Sequence, residues 1–144
     1  METFHRNGWR FILDGAHNPI SAKELVGSLR SLLYTPGVCR ARDAWLVFGA
    51  MNDKKSHEML KTFAGFFSKV ILTGIPGNRA KTVGMLVEEA KGLFKCVFTA
   101  QNVQEAVGLF KKAAPAGATA VVTGSFYLVG EARKILKTTG NGKR

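Results

Sequence analysis

Three side chains of this chain have the chemistry to handle a small polar ligand. Asp14 and His17 lie in the run Arg10-Phe-Ile-Leu-Asp-Gly-Ala-His-Asn-Pro-Ile20, and Ser125 lies in Thr123-Gly-Ser125 near the other end. A carboxylate accepts hydrogen bonds, an imidazole donates or accepts them, and a hydroxyl does both. Asn18 stands beside His17 and adds an amide. Each type alone has an ordinary structural use, as turn residue or helix cap. Their common setting, at the end of an apolar run and the start of a helical one, is what points to a site, because open α/β sheets bind ligands at the carboxyl ends of their strands. Gly49-Ala-Met-Asn52 and Thr73-Gly74 have the same small and polar character.

The elements that must position these residues follow from periodicity. Trp9–Asp14 is an apolar run suited to a strand covered on both faces. Arg6-Asn7-Gly8 before it is a hairpin turn signal, which places Met1–Phe4 as an antiparallel edge strand. Two starts fit the first helix: Asn18 as cap with Pro19 in the first turn, or Ser21 with Glu24 as a capping box two residues later. It runs to Leu33 and is stopped by Pro36-Gly37. The alternation then repeats. Strands are expected over 44–48, 70–73, 96–98 and 118–122, and helices over 57–67 (capped by Ser56), 82–93, 103–113 (capped by Asn102 with Glu105) and 127–137. Strands separated by helices require crossover connections and a mostly parallel sheet. The reading is an α/β fold, a three-layer Rossmann-like sheet with an antiparallel N-terminal hairpin strand and helices on both faces. One domain is expected over 1–138, with a polar tail over 139–144.

A chain of 144 residues, 46% hydrophobic and 22% charged, is enough for one globular core. No apolar run approaches the ~20 residues of a membrane span, and the start lacks the layout of a secretion signal. The expected location is the cytoplasm, with no membrane partner. Cys39 and Cys96 have no metal-type spacing and are expected as reduced thiols. The net charge of +11 is spread along the chain, without the aromatic-interleaved basic motif of a single-strand RNA reader. Solvated helix faces and steering of anionic ligands are expected, and no nucleic acid. The chain has no G-x-x-x-x-G-K-[ST] loop, G-x-G-x-x-G, G-x-S-x-G or H-E-x-x-H. No catalytic residue and no metal ligand is therefore assigned, and the sheet edge reads as half of a binding cleft.

Four motifs follow one another along the chain: Asp14-Gly-Ala-His-Asn-Pro19; Val47-Phe-Gly-Ala-Met51 with Asp53-Lys54; Thr73 with Pro76 and Arg79-Ala80; and Thr123-Gly-Ser-Phe-Tyr-Leu-Val-Gly-Glu131 with Arg133. In that order, from Arg10 to Arg133, the chain resembles the C-terminal domain of the folylpolyglutamate synthase/dihydrofolate synthase family, within the Mur ligase superfamily. The resemblance implies a domain that closes over ATP held by an N-terminal P-loop ATPase domain. Such enzymes join L-glutamate to folate or dihydropteroate, using ATP and Mg²⁺ through an acyl phosphate. It further implies that Asp14 accepts hydrogen bonds from the ATP ribose, that His17 and Ser125 hold the glutamate carboxylate, and that Asn18 shapes their loop.

The resemblance has departures. The family's upstream P-G-R arginine lies before the point where this sequence begins, the ATPase domain is not in it, and Lys55 stands where an acidic residue is usual. The expectation is a piece of a ligase that binds ATP weakly and is inactive without its P-loop domain, which would carry most of the ATP and Mg²⁺ contacts. The competing reading is a free-standing binding module for an anionic small molecule or a partner protein.

Overall fold

The computed structural model describes residues 1–33 and 44–141, with side chains to 138. The expected helix stop at Pro36-Gly37 and the thiol of Cys39 lie outside the described residues. Six strands and five helices alternate among those described: β1 (Glu2–Arg6), β2 (Trp9–Asp14), α1 (Pro19–Leu33), β3 (Ala44–Phe48), α2 (Ser56–Ala64), β4 (Lys69–Thr73), α3 (Val83–Ala90), β5 (Cys96–Ala100), α4 (Val103–Ala113), β6 (Thr119–Thr123) and α5 (Phe126–Asn141).

The strands form one sheet in the order β1-β2-β6-β3-β4-β5. β1 pairs antiparallel with β2, and the other pairings are parallel. The hairpin turn is built as expected, with both Asn7 and Gly8 at positive φ. β6 inserts between β2 and β3 with Asp14 opposite Thr123 and Phe48 opposite the same threonine. The two ends of the polypeptide's motif series thus become neighbours.

Alternation along the central strands divides the core in two. Ile12, Leu46, Val70 and Val121 face α1, α2 and α3; Leu13, Val47, Ile71 and Val122 face α4 and α5. β3, β4 and β6 are almost wholly buried on both faces, which is why these strands read as continuous apolar runs. Trp45, Phe48, Phe66 and Phe67 are buried, while Trp9 and Phe98 pack half-buried against the second core.

Several element boundaries correct the sequence reading: β1 runs on to Arg6, α3 stops at Ala90 short of the expected 93, and β5 runs on to Ala100. α2 begins at Ser56, so Ser56 is inside the helix and Lys55 holds the cap position without a side-chain cap bond. α2 also stops at Ala64, and Gly65 and Phe66 close it with tighter turns onto Thr62 and Phe63. α5 runs on through Asn141, past the expected end at Lys137.

Candidate functional site

The carboxyl ends of β2, β6, β3 and β4 meet on one rim, and the loop after β2 is knitted to the loop after β6. Ala16 supplies the knot: its carbonyl accepts from Gly124 N–H at 3.0 Å and from the Thr123 hydroxyl at 3.4 Å, and its N–H donates to Asp14 Oδ1 at 2.9 Å. Gly124 has φ +118, and a Cβ there would lie 2.3 Å from the Gly49 carbonyl oxygen. The loops after β6 and β3 therefore touch backbone to backbone, and only glycine permits it.

Asn18 is used by the helix. Its Oδ1 accepts from Ser21 N–H at 2.8 Å, while Ser21 Oγ accepts from Asn18 N–H at 3.2 Å and from His17 N–H at 3.1 Å. This reciprocal cap selects the earlier of the two helix starts and rigidifies the backbone under His17. The His17 ring is fixed in turn: Nδ1 lies 3.1 Å from the Gly15 carbonyl oxygen, which only accepts, so the ring proton sits on Nδ1. The Phe126 ring flanks it, with centroids 5.0 Å apart. That ring rests on Gly15, where a Cβ would approach it to 2.4 Å.

Two of the hollows on the rim share Phe126. The first, of about 300 Å³, is lined by His17, Ser125, Lys54, Asp53, Arg79 and Tyr127 among others. The second, of about 360 Å³, is lined by Asp14, Glu24, Ser21, Ser28 and again His17 and Phe126. The structure thus brings His17 and Ser125 into one hollow and places Asp14 in the adjoining one, with His17 common to both. Asn18 lines neither.

The hollows differ in charge. The first carries two cations, Lys54 and Arg79, against one carboxylate, and neither cation has an ion-pair partner among the described residues. The second carries Asp14 and Glu24 with no Lys or Arg. The first suits an anion and the second a ligand rich in hydroxyl donors. Ser125 is buried, and its Oγ accepts from Tyr127 N–H at 3.0 Å as the cap of α5, leaving its own proton to donate. Asp14 Oδ2 is ion-paired with the Met1 ammonium at 3.6 Å, a contact that a hydroxyl donor would share or displace. No group of three or more His, Cys, Asp or Glu is placed to hold a metal ion among the described residues.

Sequence reasoning named Lys54 and Arg79 within motifs but gave them no role. Tyr127 stands 62% exposed, beside Phe126 at 66%.

Comparisons with known proteins bear on the family and the fold. The family model described as Mur ligase, glutamate ligase domain, matches residues 1–126. A Mycobacterium tuberculosis folylpolyglutamate synthase complexed with ADP is similar with TM-score 0.77 and 27% identity, over 94% of this chain and 31% of that one. E. coli FolC in complex with DHPP and ADP is similar with TM-score 0.74 and 25% identity, over 90% and 29%. A bifunctional folylpolyglutamate synthase/dihydrofolate synthase with Mn, AMPPNP and L-glutamate bound shares the fold, at TM-score 0.77 and 22% identity, over 92% and 30%. This chain therefore spans under a third of the length of these enzymes. No curated protein sequence matches it.

Proposed function

The chain belongs to the Mur ligase family of ATP-dependent ligases, and from that membership we propose that it is the part of a folylpolyglutamate or dihydrofolate synthase that receives L-glutamate and the nucleoside end of ATP. One observation carries the reading: a cationic hollow and an acidic hollow lie side by side at the strand ends, sharing His17 and Phe126. Glutamate offers two carboxylates, for which Lys54, Arg79 and the Ser125 hydroxyl are suitable partners. A ribose offers two hydroxyl donors, for which Asp14 Oδ2 is a suitable acceptor, worth about 1.5–3 kcal/mol as a charge-assisted bond.

ATP phosphates do not suit the acidic hollow, and Mg²⁺ has no ligand cluster among the described residues. Both would be held by a P-loop ATPase domain, which would also bind the folate or dihydropteroate. When bound, ATP with Mg²⁺ would supply the phosphoryl group that activates the folate or dihydropteroate carboxylate, which the glutamate amine then displaces as phosphate. This chain's residues orient the amino acid and exclude water around it. Phe126 and Tyr127, exposed on the rim, with Ile20 (73% exposed) at the start of α1, would pack against that domain.

The test is an amide-shift titration of the isotope-labelled chain. L-Glutamate should move His17, Arg79 and Ser125, and adenosine should move Asp14–Ala16. Mixing with a P-loop domain, ATP and dihydropteroate should then restore glutamate incorporation. Both ligands moving one set of residues, or neither moving any, would overturn the reading. Binding without incorporation would favour the stand-alone module.

A further inference from the structure

We propose that Lys81, Ser56 and Glu89 form a positioning clamp that sets the two loops supplying Lys54 and Arg79 to the cationic hollow. Lys81 is 8% exposed and its Nζ donates to Ser56 Oγ at 2.5 Å and to Glu89 Oε2 at 2.6 Å. The Ser56 hydroxyl donates to the other carboxylate oxygen, Glu89 Oε1. The ring is closed and directional: an ammonium that only donates, a hydroxyl that accepts once and donates once, and a carboxylate that accepts from both.

The clamp sits where it can act on the hollow. Ser56 opens α2 two positions after Lys54, and Lys81 follows two positions after Arg79. The same two loops are bridged through their backbones. Asn52 N–H donates to the Arg79 carbonyl at 2.7 Å, Lys81 N–H donates to the Ala50 carbonyl at 2.9 Å, and Met51 pairs antiparallel with Ala80. Glu89, on α3, ties the bridge to a helix of the sheet's first face.

Two considerations assign positioning over bulk stability. A buried ion pair is weak evidence for stability, since a well-packed apolar substitute often does as well. Lys54 and Arg79 come from two different loops and line one space, so their joint placement depends on how those loops are held together. The hydrophobic contacts of α2 and α3 lie deeper, on Met59, Leu60, Phe63 and Leu86. Two short backbone bonds at the rim need a tie of fixed length beside them, and the clamp supplies it. Ser56 is available for this because its hydroxyl makes no cap bond.

The test compares hydrogen exchange in the wild-type chain with Glu89→Gln and with the milder Ser56→Ala, which leaves the Lys81–Glu89 pair. The Asn52 and Lys81 amides should exchange about tenfold faster or more in Glu89→Gln, and to a smaller degree in Ser56→Ala. Leu46 and Val121 should keep their rates. Unchanged rates at Asn52 and Lys81, or an equal acceleration across the chain, would overturn the proposal. A second arm rests on the function proposed above: L-glutamate affinity should fall about tenfold in Glu89→Gln while the adenosine response of Asp14 is kept. Faster exchange with glutamate affinity intact would also overturn positioning. A wild-type chain that takes no glutamate would remove the function and leave the clamp to stand on its exchange rates.

Discussion

At the scale of single residues, His17 carries the most specific consequence. Its Nδ1 proton is committed to the Gly15 carbonyl, so a neutral ring turns a lone pair at Nε2 toward anything else it meets. The other charged groups around the ring are Asp53, Lys54 and Arg79 in one hollow and Asp14 and Glu24 in the other. If the ring holds L-glutamate, affinity should fall about tenfold in His17→Ala, read by calorimetric titration of both chains. Equal affinities would remove the ring from the site. Asp14, His17 and Ser125 were legible because each sits in a contiguous strand-end motif. Lys54 and Arg79 were not, because their joint place depends on which strands are neighbours.

At the scale of elements, caps were readable where the helix pattern starts cleanly. Asn102 Oδ1 accepts from Glu105 N–H at 2.8 Å, and Glu105 returns a bond to Gln101 N–H at 2.7 Å. Asn102→Ala should cost about 1 kcal/mol, read as a fall of a few degrees in Tm by scanning calorimetry. A change below the resolution of the instrument would mean that packing alone ends α4. Ser56 shows why the same rule failed once. Serine ahead of a helical pattern reads as a cap, but a lysine 25 positions downstream claims its hydroxyl. Nothing local announces such a partner. The overrun of α5 has a similar source: Thr138, Thr139 and Gly140 are poor helix formers, and the helix passes through them.

For the whole molecule, the alternation of strand and helix gave the fold class, and the Asn-Gly turn gave the antiparallel hairpin. Strand order was not legible, because every right-handed crossover satisfies the same local pattern. The insertion of β6 between β2 and β3 is settled by pairing and packing between residues far apart in the chain, which no local window contains. This order makes a dynamic prediction. β6 and β3 are flanked on both sides and covered on both faces, whereas β1 and β5 are the outermost strands among the described residues. Amides of β6 and β3 should exchange last, near the rate of global unfolding, and the outward amides of β1 and β5 much earlier. Equal protection across all six strands would contradict this topology.

Phe126 lines both the cationic and the acidic hollow, seated on a residue that has no side chain to hold it off. A wall shared by two compartments cannot shift for one without shifting for the other. Occupancy on either side should thus bias occupancy opposite, and thermodynamic reciprocity makes that influence equal in both directions. Amino acid and nucleoside would then report to each other through a single aromatic ring, before any chemistry joins them.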